Sequence, residues 1–271
     1  MTGAGSTLGD PADWRGRVSS AVGAIDAVRP LSTNAWLVEV GARRLVVKLG
    51  PGARDEADGL QRLASVPGAP LVPEVVVDDA DLLVTVGIDH APRTSAHDEN
   101  FGRALANLHD TVLPAWGGGS SWIGACRVDP STWPGGAGFY GARLEELAAR
   151  CDLAEPVGHV VARLPELVPP GGPALLHGDL WWGNVVFGAD GRTWVIDPSV
   201  HGGHPEEDLA MLALFGAVPD RLLAAYQEVR RLHDGWRERV ALFELYPLLV
   251  HTVLFGGGYG ARALDIARRF A

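Results

Sequence analysis

The sequence predicts an α+β chain in two lobes, a small β-rich lobe over residues 1–90 and a larger, mainly helical lobe over residues 91–271. Two observations lead there. Short apolar runs of strand length fill the chain up to about Ile88, and helical periodicity takes over from Ser95. Hydrophobic residues make up 47% of the 271 positions and charged residues 21%, the balance of an ordinary globular protein long enough to bury the cores of two lobes.

Short strands are expected from the opening segment. "AWLVEV" (Ala35–Val40) and "RRLVVKL" (Arg43–Leu49), separated by "GA", then read as a hairpin. "ARDEADGLQRLASV" follows with Leu60 and Leu63 at helical spacing and is stopped by Pro67 and Gly68. "PEVVVDD" and "DLLVTVGI" supply two more strands, and the lobe boundary falls near Gly87–Arg93. "SAHDENFGRALANLHDTV" opens the second lobe as a helix with Phe101, Leu105, Leu108 and Val112 on one stripe. A Gly-, Trp- and Pro-rich connection leads to helices near Gly138–Cys151 and Pro156–Leu167, and from Pro205 onward the pattern is almost all helix.

A formal charge of −10 argues against a nucleic-acid partner, which would require a basic face. No apolar run approaches the ~20 residues that cross a bilayer. "MTGAGSTLGDPADW" lacks a basic region followed by an apolar stretch, so no signal peptide is expected and a cytoplasmic location is. Cys126 and Cys151 have no metal-ligand spacing and read as free thiols.

The segment "LLHGDLWWGNVVFGADGRTWVIDPS" (Leu175–Ser199) holds Asp179, Asn184 and Asp197 between apolar runs. Ala174–Leu176 and Val185–Phe187 read as strands, which places Asp179 on the loop between them and Asn184 at the start of the second. "GADG" is a hairpin turn, and "TWVID" returns to end at Asp197 beside Asn184. Two oxygen ligands on one rim suit Mg²⁺, which shares its remaining positions with water and phosphate. The separate Asp179 is placed to accept a proton from a hydroxyl. A lone His-Gly-Asp triplet is more often a structural turn. The joint pattern is that of a phosphotransferase catalytic loop followed by its metal-binding Asp.

"HGDLWWGN", "VIDPSVHGGHPEEDLAMLALFG" and "LFELYPLLVHTVLFGGGY" together resemble the fructosamine kinase (ketosamine-3-kinase) family, within the aminoglycoside-phosphotransferase-like kinases, from about Asn34 to the C-terminal helix. The resemblance implies a bilobal protein-kinase-like fold. It also implies ATP- and Mg²⁺-dependent phosphorylation of the 3-hydroxyl of ketosamines, either small molecules or glycated protein lysines. By position, Asp179 matches the catalytic base, Asn184 and Asp197 the metal ligands, and Trp181 the tryptophan beside the base, which could hold a cationic amine or simply pack in the core. His177 and Asp208 match residues that brace the loop. Lys48 matches the phosphate-binding lysine and Glu56 its partner, with Asp55 and Asp58 as alternatives. Lys48 is the only lysine in a chain whose other basic residues are all Arg, consistent with a need for a compact point charge.

The chain departs from that family at three places. The phosphate-covering turn, "RPLSTNAWLVEV", holds no glycine, leaving the amides and hydroxyls of Ser32, Thr33 and Asn34 to meet a phosphate. Trp182 stands where a small residue is usual, either narrowing an acceptor pocket or packing outward, and Pro205 stands where Arg is usual. The glycines of "FGGGYG" allow either close backbone approach under the acceptor or a plain helix break. Kinases acting on aminoglycosides, choline or homoserine are the rival reading, followed by a non-catalytic nucleotide-binding homologue.

Overall fold

The computed structural model describes residues 13–271, so the segment that bears on a leader peptide lies outside the described residues. The chain runs α1 (Trp14–Val22), β1 (Ala27–Pro30), β2 (Ala35–Val40), β3 (Arg43–Leu49), α2 (Ala53–Ala64), β4 (Val75–Asp78) and β5 (Leu82–Val86). Next come α3 (Ser95–His109), four two-residue strands, β6 (Trp116–Gly117), β7 (Trp122–Ile123), β8 (Cys126–Arg127) and β9 (Thr132–Trp133), and then α4 (Gly136–Ala149) and α5 (Ala154–Leu167). The remainder is β10 (Ala174–Leu176), β11 (Val185–Phe187), β12 (Thr193–Val195), β13 (His201–Gly203), α6 (Glu206–Leu214), α7 (Asp220–Val229), α8 (Trp236–Phe255) and α9 (Gly258–Phe270).

An antiparallel sheet in the order β1-β2-β3-β5-β4 forms the first lobe. Its register pairs Val38 with Leu45 and Lys48 with Leu83. Because side chains alternate across a strand, Leu45 and Val47 point to one face and Lys48 to the other. Trp14 and Val18 of α1 pack on the first face with Val38, Leu82 and Val84. Ala53, Ala57 and Leu60 of α2 cover the opposite face around Leu83. The single lysine is thereby carried to the α2 side of the sheet.

The opening segment corrects the expectation of strands alone, since it forms α1 followed by only one strand, β1. Trp14 and Val18 are four apart and buried, but Gly16, Ser19 and Ser20 dilute the pattern to a two-residue stripe. Val112 also departs from its expected stripe: α3 ends at His109, and Val112 is 71% exposed. The Gly-rich connection carries β6–β9, held through pairing with β13 at Gly202–Gly117 and through a small β7–β8 hairpin.

In the second lobe, α3 lies against α7 over Phe101, Leu105, Leu222 and Tyr226. A separate core joins α4, α5, α8 and α9 through Tyr140, Leu144, Leu164 and Leu249. "LYPLLV" is core, with Leu245 to Val250 all buried. Cys126 and Cys151 are free thiols. Pro205 has φ −52° immediately before α6, a torsion that suits helix entry and gives this departure a structural role. Among the described residues, no helix is long and apolar enough to cross a membrane.

Candidate active site

A cavity of about 1060 Å³ lies between the sheet of the first lobe and the β11–β12 hairpin of the second, and Lys48, Glu56, Asp179 and Asp197 all line it. Lys48 Nζ donates to Glu56 Oε1 at 2.9 Å and Oε2 at 3.2 Å, and it also pairs with the Asp197 carboxylate. Burial works against the ammonium, but the two carboxylates outweigh it, and the Lys48 pKa is raised. Glu56 is therefore the helix residue that meets the lysine. Asp55, one alternative, turns instead to accept the Ser121 amide at 2.7 Å. Asp58, the other alternative, makes no ion pair with Lys48 among the described residues.

β11 and β12 pair Val185 with Val195, and Ile196 N–H donates to Asn184 O at 3.0 Å. This ladder sets Asn184 and Asp197 at adjoining strand ends. Asp197 has φ +58°, a left-handed backbone that is uncommon outside glycine and that Asp and Asn tolerate best. Such outliers concentrate at functional positions. Asn184 Nδ2 donates to Asp179 O at 2.8 Å and Asp179 Oδ2 at 3.3 Å. Among the described residues, no hydrogen bond reaches Asn184 Oδ1. That free amide oxygen and the Asp197 carboxylate are the hard oxygen donors that Mg²⁺ takes together with phosphate and water. No cluster of three or more His, Cys, Asp or Glu with metal-holding geometry occurs among the described residues, so a dedicated all-protein cage is not what this site offers.

Asp179 is raised to about 7, first by burial and then by the negative charge of Asp197, with Asn184 pulling the other way. A carboxyl poised there can exchange a proton near neutral pH. The loop that carries it is fixed from below. Asp208 accepts the amides of His177 at 2.8 Å and Gly178 at 2.9 Å, and His109 Nε2–H donates to it at 3.2 Å. Burial alone would raise the Asp208 pKa, yet these donors hold it below the ordinary carboxylate value. His177 Nε2–H donates to Ile196 O at 3.0 Å while its Nδ1 accepts the Asp179 amide at 3.3 Å. Both bonds suit a neutral ring, and burial lowers the His177 pKa. Gly178 has φ +80°, and a Cβ there would strike Ser199 O and His201 Nδ1, so the turn before Asp179 requires glycine.

The glycine-free turn also lines the cavity through Ser32, Thr33 and Asn34. Two of its three amides are already engaged: Ser32 N–H donates to Ala35 O at 3.1 Å, and Asn34 N–H to Ser32 Oγ at 3.4 Å. Asn34 Nδ2 ties the turn to Leu49 O at 3.0 Å. Hydrogen bonds within the turn thus restrict what it can present to an anion, relative to the sequence expectation.

Neither Trp181 nor Trp182 lines this cavity. Trp181 is 41% exposed, lies over Gly183 and meets Phe215 edge-on at 6.0 Å. Trp182 packs on Phe101 at 6.4 Å, with the Arg93 guanidinium 4.0 Å above its ring. An apolar α3 face and a cation hold the ring against the second-lobe core.

Sequence reasoning missed three features. His109 braces Asp208 from α3, and its other nitrogen meets Tyr226 Oη at 2.9 Å. Ser120 and Trp122, from the Gly-rich connection, line the cavity. That connection also spans the lobes: Ser121 N–H bonds Asp55 of α2, while Ser120 N–H donates to Val200 O at 2.9 Å and Ser199 Oγ donates to Trp122 O at 2.9 Å. A polar "GGGSSW" stretch carried no periodic signal, and only the buried position of His109 distinguishes it from a surface residue.

Comparison with known proteins places this geometry in context. A family model described as fructosamine kinase matches residues 144–270. The probable ketoamine kinase of Enterococcus faecium is 43% identical over 36% of this chain, a match spanning about a third of that protein (35%). The probable ketoamine kinase TTHA1179 of Thermus thermophilus is 33% identical over 80% of this chain and 83% of its own length. A crystal structure from Thermobifida fusca, assigned as a fructosamine-3-kinase, superposes with a TM-score of 0.84 at 36% identity, covering 94% of this chain and 97% of that one. The choline kinase LicA of Streptococcus pneumoniae, at 14% identity and a TM-score of 0.65 over 94% and 96% of the two chains, shares the protein-kinase-like fold.

Proposed function

Given that the chain belongs to the fructosamine kinase (ketoamine kinase) family, we propose that it transfers the γ-phosphoryl group of ATP to the 3-hydroxyl of a ketosamine. The observation that carries this reading is the meeting of Lys48, Glu56, Asp179 and Asp197 on one cavity, with Asn184 bonded to Asp179 at its edge. Glu56 orients the Lys48 ammonium toward the α- and β-phosphates. Asn184 Oδ1 and the Asp197 carboxylate would hold Mg²⁺, which supplies charge neutralisation to the phosphates when bound. The Asp179 carboxylate positions the acceptor hydroxyl in line and takes its proton as the new P–O bond forms and ADP leaves. Positioning and fixed charge account for most of the rate in such a loose transfer.

The acceptor is tested by supplying Mg·ATP with ribulosyl-lysine, fructosyl-lysine, kanamycin and choline and reading the products by ³¹P spectroscopy and mass. The expected result is a phosphate on the third sugar carbon of one or both ketosamines. Phosphorylation of kanamycin or choline alone would move the protein to the rival small-molecule kinases. Binding of Mg·ATP without transfer to any acceptor would favour a non-catalytic homologue.

A further inference from the structure

Resting on the ketosamine-kinase reading, we propose that Arg93 is a positioning residue for phosphoryl transfer: its guanidinium, closed over the rings of Trp182 and Phe187, fixes Asn184 between them. The central carbon of that guanidinium lies 4.0 Å from the Trp182 ring centre and 5.2 Å from that of Phe187. In the chain these rings stand two residues before Asn184 and three after it. One cation thus grips both ends of the short segment that presents the amide beside Asp179.

Local structure builds the contact. Trp182–Asn184 is a single helical turn in which Asn184 N–H donates to Trp181 O at 2.9 Å and Val185 N–H donates to Trp182 O. A tilt of the Trp182 ring therefore turns the backbone that carries Asn184, whose Nδ2 reaches Asp179 O at 2.8 Å and Oδ2 at 3.3 Å. Phe101 of α3 seats the ring at 6.4 Å, and at Gly216, ahead of α7, a Cβ would stand 2.8 Å from Trp182 Cδ1. Arg93 is itself held: its Nε–H donates to Asp98 Oδ1 at 2.6 Å, and Asp98 is buried in the first turn of α3, where the helix favours a carboxylate.

Arg93 also ends the segment that joins the lobes, and the β11–β12 hairpin is fastened to that segment. Ala91 N–H donates to Phe187 O at 2.8 Å, and Ala189 N–H donates to Asp89 O at 2.8 Å. On the other edge of the hairpin, Val195 N–H donates to Leu71 O at 2.7 Å and Leu71 N–H to Thr193 O at 3.1 Å. First-lobe chain therefore flanks the hairpin on both sides. The backbone bonds from the joining segment reach only Phe187 and Ala189, and Arg93 carries the attachment back to Trp182, at the start of the turn that bears Asn184. Arginine suits this place because a planar guanidinium stacks on a ring face while its N–H groups donate to a carboxylate. Tryptophan suits position 182 because, of the aromatic rings, the indole face attracts a cation best.

The chain has only four asparagines, Asn34, Asn100, Asn107 and Asn184, so a ¹⁵N label confined to asparagine gives a direct test. The side-chain amide of Asn184 is identified by its loss in Asn184→Asp, and the exchange of its protons with water is compared in the wild type, Arg93→Met and Arg93→Lys. Arg93→Met keeps the stem and removes the cation. Its Asn184 amide is expected to exchange roughly 3- to 30-fold faster, the worth of one cation–π contact. Asn34, held on Leu49 O in the first lobe, should keep its wild-type rate. Transfer from saturating Mg·ATP to a ketosamine should slow by a similar factor, and Arg93→Lys, which returns a charge to the rings, should recover part of both effects. Unchanged exchange at Asn184 in Arg93→Met overturns the proposal. So does an equal acceleration at Asn34, which would make Arg93 a support of the whole chain, and so does faster exchange at Asn184 with no slowing of transfer. A wild-type protein that phosphorylates no ketosamine overturns the kinase reading and the role in transfer with it, while the exchange rates still decide whether Arg93 fixes Asn184.

Discussion

Asp179 and its neighbours show how one residue's environment sets its chemistry. Burial and the Asp197 charge hold its carboxyl up to about 7. The proposed base must be deprotonated to accept a proton, so activity is expected to fall as the carboxyl gains its own. The kcat/KM profile, which reports the free enzyme, is expected to fall on the acid side of about pH 7. A cation bound beside Asp197 removes part of the repulsion, so the acid limb in kcat should lie at lower pH than the limb in kcat/KM. Coincident, flat profiles from pH 5 to 8 would remove Asp179 from the proton's path. The residue's position was legible in the sequence, because Asp179, Asn184 and Asp197 bracket a hairpin whose turn chemistry is explicit. Its bracing was only partly legible. Asp208 was visible as an acidic residue in an apolar helix, whereas His109 required knowing that the end of α3 meets Asp208 of α6.

At the scale of elements, α2 is the piece that brings the two lobes into one site. Glu56 meets Lys48 of the sheet, while Asp55 accepts Ser121 N–H at 2.7 Å. The 116–128 segment that holds Ser121 is itself fastened to Val200 and Ser199, next to Asp197. Removing the Asp55 carboxylate frees one end of this strap. A hydrogen bond to a charged group is worth about 1.5 kcal/mol at the lower end of its range, equivalent to roughly tenfold. Asp55→Ala is accordingly expected to raise KM for ATP several-fold and to lower kcat, with Lys48 and Glu56 both intact. Steady-state kinetics with wild-type KM would show that α2 is held by its packing alone. The strands of the sheet and the α3 and α5 helices follow from period-two and helical patterns in the sequence. α1 did not, because two buried residues in nine make a narrow stripe. Neither did β6–β9, which are two residues each, too short for an alternating pattern, and of which β6 joins β13 through a glycine pair, Gly117 with Gly202. Trp182 shows the same limit, as its packing depends on Phe101 and Arg93, which are remote in sequence.

The molecule as a whole has cores in both lobes and a layer of buried polar groups, of which His204 is expected to contribute to its response to acid. His204 stacks on Phe243 at 5.1 Å, lies beside His233 at 5.9 Å, and accepts the Glu206 amide through Nδ1 at 3.3 Å. Burial, with the nearby His233 and Arg239, lowers its pKa from 6.5 to about 3. Between those values the unfolded chain takes up a proton that the native ring refuses, so this contribution to stability is complete above pH 6.5 and is lost progressively as pH falls toward 3. Chemical unfolding of His204→Phe, which keeps an aromatic stack, is expected to show a shallower loss of stability between pH 6.5 and 4 than the wild type. Equal slopes would assign the acid sensitivity to other groups. The central proposal is that residues from both lobes serve one transfer, with the sheet and α2 to hold the nucleotide and the β10–β11 loop to activate the acceptor. The most direct measurement is made on Asp179→Asn, comparing Mg·ATP affinity by titration calorimetry with single-turnover phosphoryl transfer to a ketosamine. Affinity within a few-fold of wild type, with transfer slowed about 10²- to 10⁴-fold, is the expected result. Transfer at the wild-type rate would contradict it.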